Sequence, residues 1–254
     1  MIHADTRALI LGGTQGLGLA IAEALAAQGC TRIVLAARDV SKGEAEAARL
    51  GATFIAVDLG DAASVIACVD RAADLMGGID ALCIAGASTD RGSILDTTPD
   101  DFDRMIAVNT RGPFFAIQRT AQLAKAAGHP ASIVTILSMV VHCGQSFLAP
   151  YSAAKAALAN VTKNAANALR HDRIRVNGIN CGWMDTPGED QVQRRHHGAT
   201  DGWLAEAEAR QPFGMLVKPP HVAGLAAYLL GNMSGVMTGS IIDFDQNISG
   251  AYPE

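Results

Sequence analysis

Seven short, mostly apolar runs recur along these 254 residues, and the segments between them carry helical patterns. The runs are Ala8–Leu11, Ile33–Ala37, Thr53–Val57, Ala81–Ala85, Ser132–Leu137, Ile174–Ile179 and Ser240–Phe244. A run that is apolar without alternation suits a strand buried on both faces, as parallel strands are. Parallel strands need long crossovers, and helices at 19–28, 41–50, 61–76, 99–109, 112–127 and 151–169 would supply them. The expectation is an α/β chain with a single domain over 1–254. Its core would be a doubly wound parallel sheet of seven strands with helices on both faces. Ligands of such sheets sit beyond the carboxyl ends of the strands, where the strand order reverses.

The first strand runs into Gly12-Gly13-Thr14-Gln15-Gly16-Leu17-Gly18, and a helix follows. Glycines let backbone approach a pyrophosphate, and a helix N-terminus offers N–H donors and positive potential. This is a Rossmann-type position for a dinucleotide, with the spacing Gly-x-x-x-Gly-x-Gly. A tight strand–helix turn would need the same glycines. Cofactor choice belongs at the end of the second strand, where an acid would accept from the ribose hydroxyls of NAD. Ala37 stands there and Arg38 follows, so nothing repels a 2′-phosphate and a guanidinium can hold it. Thr14 adds a hydroxyl. NADP(H) is therefore favoured over NAD(H), although Asp39 adjoins and Arg38 could equally be a solvated charge. Asp58, ending the third strand, could accept from the adenine amino group or cap the next turn.

Tyr151-Ser152-Ala153-Ala154-Lys155 places a phenol and an ammonium one helical turn apart on one face. An ammonium beside a phenol favours the phenolate, so Tyr151 should exchange a proton below its free pKa of about 10. Ser138 precedes it at the end of the fifth strand. A proton donor beside a dinucleotide cradle points to carbonyl/alcohol redox chemistry.

Together with Asn109 in Val108-Asn109-Thr110 and with Arg175-Val176-Asn177, these motifs resemble the short-chain dehydrogenase/reductase family, from Leu9 to about Asp245. The resemblance implies Tyr151 as general acid/base and Lys155 as holder of the nicotinamide ribose. It implies Ser138 as the group orienting the substrate oxygen and Asn109 as part of a proton relay through water. Cofactor contacts are implied for Gly12, Thr14, Gln15, Gly16, Leu17, Gly18, Arg38, Asp58, Leu59, Ala85, Gly86, Tyr151, Lys155, Met184 and Thr186. Ser138, His142, Tyr151 and Trp183 are the substrate-lining candidates. The family also commonly forms homotetramers, and one is expected here. The chain departs from the family pattern at Leu11, at Cys83-Ile84-Ala85-Gly86, at Leu137 and at Cys181-Gly182.

Charged residues make up only 18%, which also favours apolar faces covered by other subunits. A net charge of −5 with no long basic run suggests neither nucleic acid nor an anionic membrane as partner. No segment has a membrane span's length of apolar residues, and no signal peptide is apparent. Five scattered cysteines without a Cys-x-x-Cys fit reduced thiols in a cytoplasmic protein, and no metal ligands cluster. Polar residues from about 185 to 215 suggest a lid or substrate loop; a solvated surface insertion would have the same composition. The leading expectation is an NADP(H)-dependent alcohol dehydrogenase or ketone reductase acting on a small polar compound, a polyol or sugar. A 3-oxoacyl-carrier-protein reductase would share the chemistry and would need a basic patch, with Arg194, Arg195 and Lys218 as candidates. A non-catalytic nucleotide-binding regulator is the rival of another class.

Overall fold

A computed structural model describes residues 1–251. Seven parallel strands form one sheet in the order β3-β2-β1-β4-β5-β6-β7, with β1 Arg7–Leu11, β2 Arg32–Ala37, β3 Thr53–Ala56, β4 Ala81–Ile84, β5 Ala131–Ser138, β6 Ile174–Cys181 and β7 Ile241–Phe244. The order reverses between β1 and β4, so a crevice opens where those two strands end.

Both faces of the sheet are apolar because alternate residues of each strand feed opposite layers. Ile10 and Leu35 join Ile21 and Leu25 of α1 (Gly16–Ala27), Ala47 of α2 (Val40–Leu50) and Val222 and Leu229 of α9 (Pro219–Leu230). Leu9, Leu11 and Leu82 point the other way. They pack on Val65 and Val69 of α3 (Ala62–Met76), Ile117 of α5 (Gly112–Ala127) and Ala166 of α6 (Ala149–Leu169).

Two segments differ from the sequence expectation. Helix α4 (Pro99–Ile106) does not stop before α5; a π-helical turn, Ala107–Arg111, joins them into one continuous run. Such wide turns accommodate an extra residue and recur at functional sites. Nor are residues 185–215 an irregular loop, because α7 (Pro187–His197) and α8 (Trp203–Ala209) fill most of them. Thr186 caps α7 by accepting from the Glu189 N–H at 3.1 Å, Pro187 takes the first turn, and Gly198 ends the helix in the left-handed conformation. No helix among the described residues is long and apolar enough to cross a membrane.

Candidate functional site

The crevice begins at glycine contacts. A Cβ on Gly12, whose φ is +83°, would lie 2.3 Å from the Gly86 nitrogen, and one on Gly18 would lie 2.1 Å from the Gly12 carbonyl oxygen. The turn after β1 therefore presses on the end of β4 with no room for side chains. Gln15 precedes α1 without capping it, and no acid stands in the first turn. The first N–H groups of α1 are thus left for an external acceptor, as a pyrophosphate cradle requires. Leu17 is buried against the sheet and Thr14 is almost fully buried in the turn. Replacing Gly18 with Ala should force this turn open. We expect about a tenfold or greater loss of cofactor affinity and a stability loss of ~1–3 kcal/mol, checked by fluorescence titration and thermal unfolding.

Side chains missing from the usual pattern around β4 are replaced by backbone. Ala85 and Gly86 both donate N–H groups to the Leu11 carbonyl at 2.9 Å. Leu59 is buried, and its Cδ1 would lie 2.6 Å from a Cβ on Gly86. Asp58 accepts from the Gly60 N–H at 2.8 Å, so it caps its own turn while remaining exposed. Asp39 is spent as the N-cap of α2, accepting from the Lys42 N–H at 3.0 Å. Arg38 is exposed, and Lys42 Nζ reaches over the glycine turn to Gln15 Oε1 at 2.6 Å. Lys42 adds a second cation at the expected adenosine end. Its signal was faint: one lysine in the first turn of a polar helix.

Tyr151 and Lys155 lie in the first two turns of α6, under the end of β5. Both are nearly fully buried, at 9% and 3% exposed. Lys155 Nζ donates to the Ile136 carbonyl at 2.7 Å and lies 5.7 Å from the centre of the Tyr151 ring. Burial pulls the Lys155 pKa down to about 8. Burial also raises the Tyr151 phenol above its ordinary value, with Ser138 opposing the rise through its side chain and Arg91 through its charge. The expected lowering of the tyrosine by its lysine is thus reversed. Desolvation outweighs the ammonium, whose own charge is costly here. A phenol held protonated at neutral pH is suited to donating to a developing alkoxide. Ser138 Oγ also accepts from the Val140 N–H at 3.4 Å.

Asn109 occupies the π-helical turn and is completely buried. Its Oδ1 accepts from the Ser88 N–H at 3.1 Å, and its Nδ2 donates to the Ser88 carbonyl at 2.9 Å. The side chain thereby braces the segment after β4.

The proposed substrate residues divide. Ser138 and Tyr151 come together. His142 instead bonds Asp243 Oδ1 at 2.8 Å, at the β6–β7 edge beside the buried Asn180. Trp183 stacks on Trp203 at 6.2 Å and donates its indole N–H to Glu189 at 2.8 Å, so it packs with α7 and α8. Thr186 lies across the cradle, its Cβ and Cγ2 3.5 Å from a Cβ built on Gly16. Met184 is tied by a strand-like bridge to Val217. Buried Cys181, where the family pattern has proline, has its thiol pushed up to about 12 by desolvation, which makes it an inert packing group. Residues that sequence reasoning missed are Arg91 and Phe147, from two loops, and Glu189 and His197, from α7, which gather around the approach to Tyr151.

Gln246 accepts from the Phe213 N–H at 2.9 Å and donates to the Met215 carbonyl at 2.8 Å, so it fastens the lid's far end.

The chain is similar in sequence and fold to known proteins. The family model described as enoyl-(acyl carrier protein) reductase matches residues 12–247. Sorbitol dehydrogenase of Cereibacter sphaeroides is 32% identical, over 87% of this chain and 89% of that protein. The NADP-dependent (R)-specific alcohol dehydrogenase of Lentilactobacillus kefiri is 29% identical over 92% of each chain. A solved structure described as a short chain dehydrogenase/reductase family protein superposes with a TM-score of 0.83 and 29% identity, covering 97% of this chain and 98% of the other.

Proposed function

The chain belongs to the short-chain dehydrogenase/reductase family, whose members act on CH–OH groups with a nicotinamide cofactor, and within that family we propose an NADP(H)-dependent enzyme that interconverts a secondary alcohol and a ketone. The observation that carries this reading is the buried phenol of Tyr151, with Ser138 against it and Lys155 beneath it, at the end of β5 next to the β1–β4 crevice. The glycine cradle and the uncapped start of α1 fit a dinucleotide pyrophosphate. The cofactor, when bound, supplies or accepts the hydride. The protein's share is proton handling. Tyr151 Oη gives its proton to the carbonyl oxygen as negative charge grows there, and Ser138 Oγ hydrogen-bonds that same oxygen. Lys155 fixes the floor of the cleft through the Ile136 carbonyl and would hold the ribose hydroxyls of the bound cofactor. In the opposite direction Tyr151 takes the alcohol proton.

Arg38, Lys42 and Thr14 support NADP(H), because two cations and a hydroxyl face the ribose end while Asp39 is occupied with capping. Replacing Arg38 with Ala should weaken NADPH binding by roughly 10- to 100-fold and leave NADH nearly untouched. Parallel titrations check this; tighter NADH binding by the unaltered protein would overturn the preference.

The polar lid favours a small hydroxylated substrate, such as a polyol or sugar. A carrier-protein substrate is disfavoured by the fate of two of the three basic candidates. Lys218 is paired with Asp185 at 2.8 Å and Glu208 at 2.5 Å, and Arg194 with Asp190 and Asp201. Exposed Phe114, Tyr228, Met233 and Val236 support a homotetramer, and five free cysteines suit a reducing, cytoplasmic setting. A screen of polyols, sugars and ketones with both cofactors, following the nicotinamide absorbance, tests the reading as a whole. Cofactor binding without turnover of any of them would favour the non-catalytic regulator.

A further inference from the structure

Arg91 is a cation with no carboxylate at ion-pairing distance among the described residues, in the mouth of the cleft. It lies in the loop between β4 and α4. Its Nε donates to His197 Nε2 at 3.1 Å, in the last turn of α7, and its Nη1 donates to the Thr89 carbonyl at 3.1 Å. The guanidinium carbon stands 5.3 Å from the Phe147 ring centre, and Phe147 meets the His197 ring edge-on, also at 5.3 Å. Three segments therefore fix the guanidinium in place: the β4–α4 loop, the β5–α6 connection and the lid. These contacts use two of its five N–H donors, and Nη2 makes no hydrogen bond to the described residues. Partial burial makes its charge costly, which an ion pair would normally offset.

Beside it lies a cavity of about 400 Å³, walled by Ser88, Arg91, Phe147, Pro150 and Arg195, so its wall reaches the residue next to Tyr151. That volume suits a small ligand. The acids in the same wall are already engaged. Asp90 takes the Ser88 hydroxyl at 2.9 Å and Arg104 at 3.5 Å. Asp96 takes the Ser93 N–H at 2.6 Å, and Asp101 takes the Thr98 hydroxyl at 2.7 Å and Arg104 at 2.9 Å. Arg91 and Arg195 remain as cations without such partners.

We infer that Arg91 is a specificity residue that docks a single carboxylate, so that the substrate is a small hydroxy- or oxo-carboxylic acid whose reacting carbon lies at Tyr151. This narrows the hydroxylated substrate proposed above and rests on that reading. A planar carboxylate matches the free edge of a held guanidinium. One negative charge fits better than a phosphate's two, because the charges of Glu189 and Asp90 already act on Arg91. Phe147 offers an apolar wall for the carbon chain between the two ends of the ligand.

The probes are 4-oxopentanoate and its primary amide, which differ in charge at nearly constant shape. Binding is measured by calorimetry on protein saturated with oxidised cofactor, where reduction cannot proceed, and turnover separately with the reduced form. The unaltered protein should favour the acid by about tenfold or more in both readouts. In Arg91→Met the ratio should collapse toward one, chiefly through KM, and Arg91→Lys should recover part of it. Equal treatment of acid and amide by the unaltered protein, or a preference that survives Arg91→Met, would overturn the inference. Arg91-dependent binding of the acid with no turnover of either probe would support the anion site and count against the proposed oxidoreduction.

Discussion

Replacing Tyr151 with Phe should reduce turnover by about three orders of magnitude while leaving cofactor binding intact. The exchange removes one oxygen from a ring that is otherwise packed among Met105, Val140 and Leu148, so the cleft keeps its shape. What disappears is the hydroxyl that meets Ser138 at the end of β5. A carbonyl accepting hydride would then have to draw its proton from water. Stopped assays for activity and a fluorescence titration for cofactor affinity separate the two effects. Retained turnover would remove Tyr151 from the chemistry. The same site has a pH signature. The phenol lies above its ordinary pKa, so its protonated form dominates across the neutral range and reduction should be nearly flat there. Oxidation needs the phenolate, whose fraction grows about tenfold per pH unit below the pKa, so alcohol oxidation should climb steadily into alkaline solution.

Replacing Lys155 with Met should also disable the enzyme, with kcat lower by about two orders of magnitude or more, yet the protein should unfold at a higher temperature. The reason is the sign of its pKa shift. Lys155 falls from the ordinary 10.5 to about 8, which means that the folded protein holds this proton less tightly than the unfolded chain. Below about pH 8 the lysine is charged in both states, and its burial costs the fold about 3 kcal/mol. Between pH 8 and 10.5 the folded state sheds the proton first, so the cost fades as pH rises. Methionine has a similar length and carries no charge, but it leaves the Ile136 carbonyl without its donor, at a cost of ~1–3 kcal/mol. The net expectation at pH 7 is a gain of ~0–2 kcal/mol, or up to several degrees in Tm. The variant's advantage over the unaltered protein should shrink toward pH 10. Differential scanning calorimetry at both pH values reads this; a variant clearly less stable at pH 7 would refute it.

Elements built on local pattern were legible from the chain. The apolar runs at 8–11, 33–37, 81–85 and 132–137 became β1, β2, β4 and β5 within a residue or two, because burial on both faces leaves a mark in every residue. The placement of Tyr151 and Lys155 on one face of α6, and of Ser138 at the end of β5, was legible too, since a shared face and a strand end are matters of spacing. What was missed has other causes. The lid looked irregular because its residues are polar, yet Thr186-x-x-Glu189 is a capping-box pattern and Gly198 a stop signal; composition was weighed above capping. The rise of Tyr151 depends on how many apolar neighbours surround it, a property of the assembled tertiary structure that spacing along one helix cannot convey. Arg91 carried no signal at all. It sits between Asp90 and Gly92 in an irregular segment, and only the meeting of that loop with Phe147 and His197 gives it meaning. The contact of His142 with a carboxylate on the last strand also joins residues far apart in sequence, which no local pattern conveys.

The contact between Gly12 and Gly86 bears on how this protein can be redesigned. Two backbones meet there at a separation no larger residue tolerates, so randomised libraries aimed at a new cofactor should leave that junction and Gly18 untouched. Variation belongs at 38–42, where the side chains are exposed or half-buried and the one long-range contact is Lys42 to Gln15. Diversity spent there changes recognition of the ribose end without disturbing the hinge on which both halves of the sheet converge.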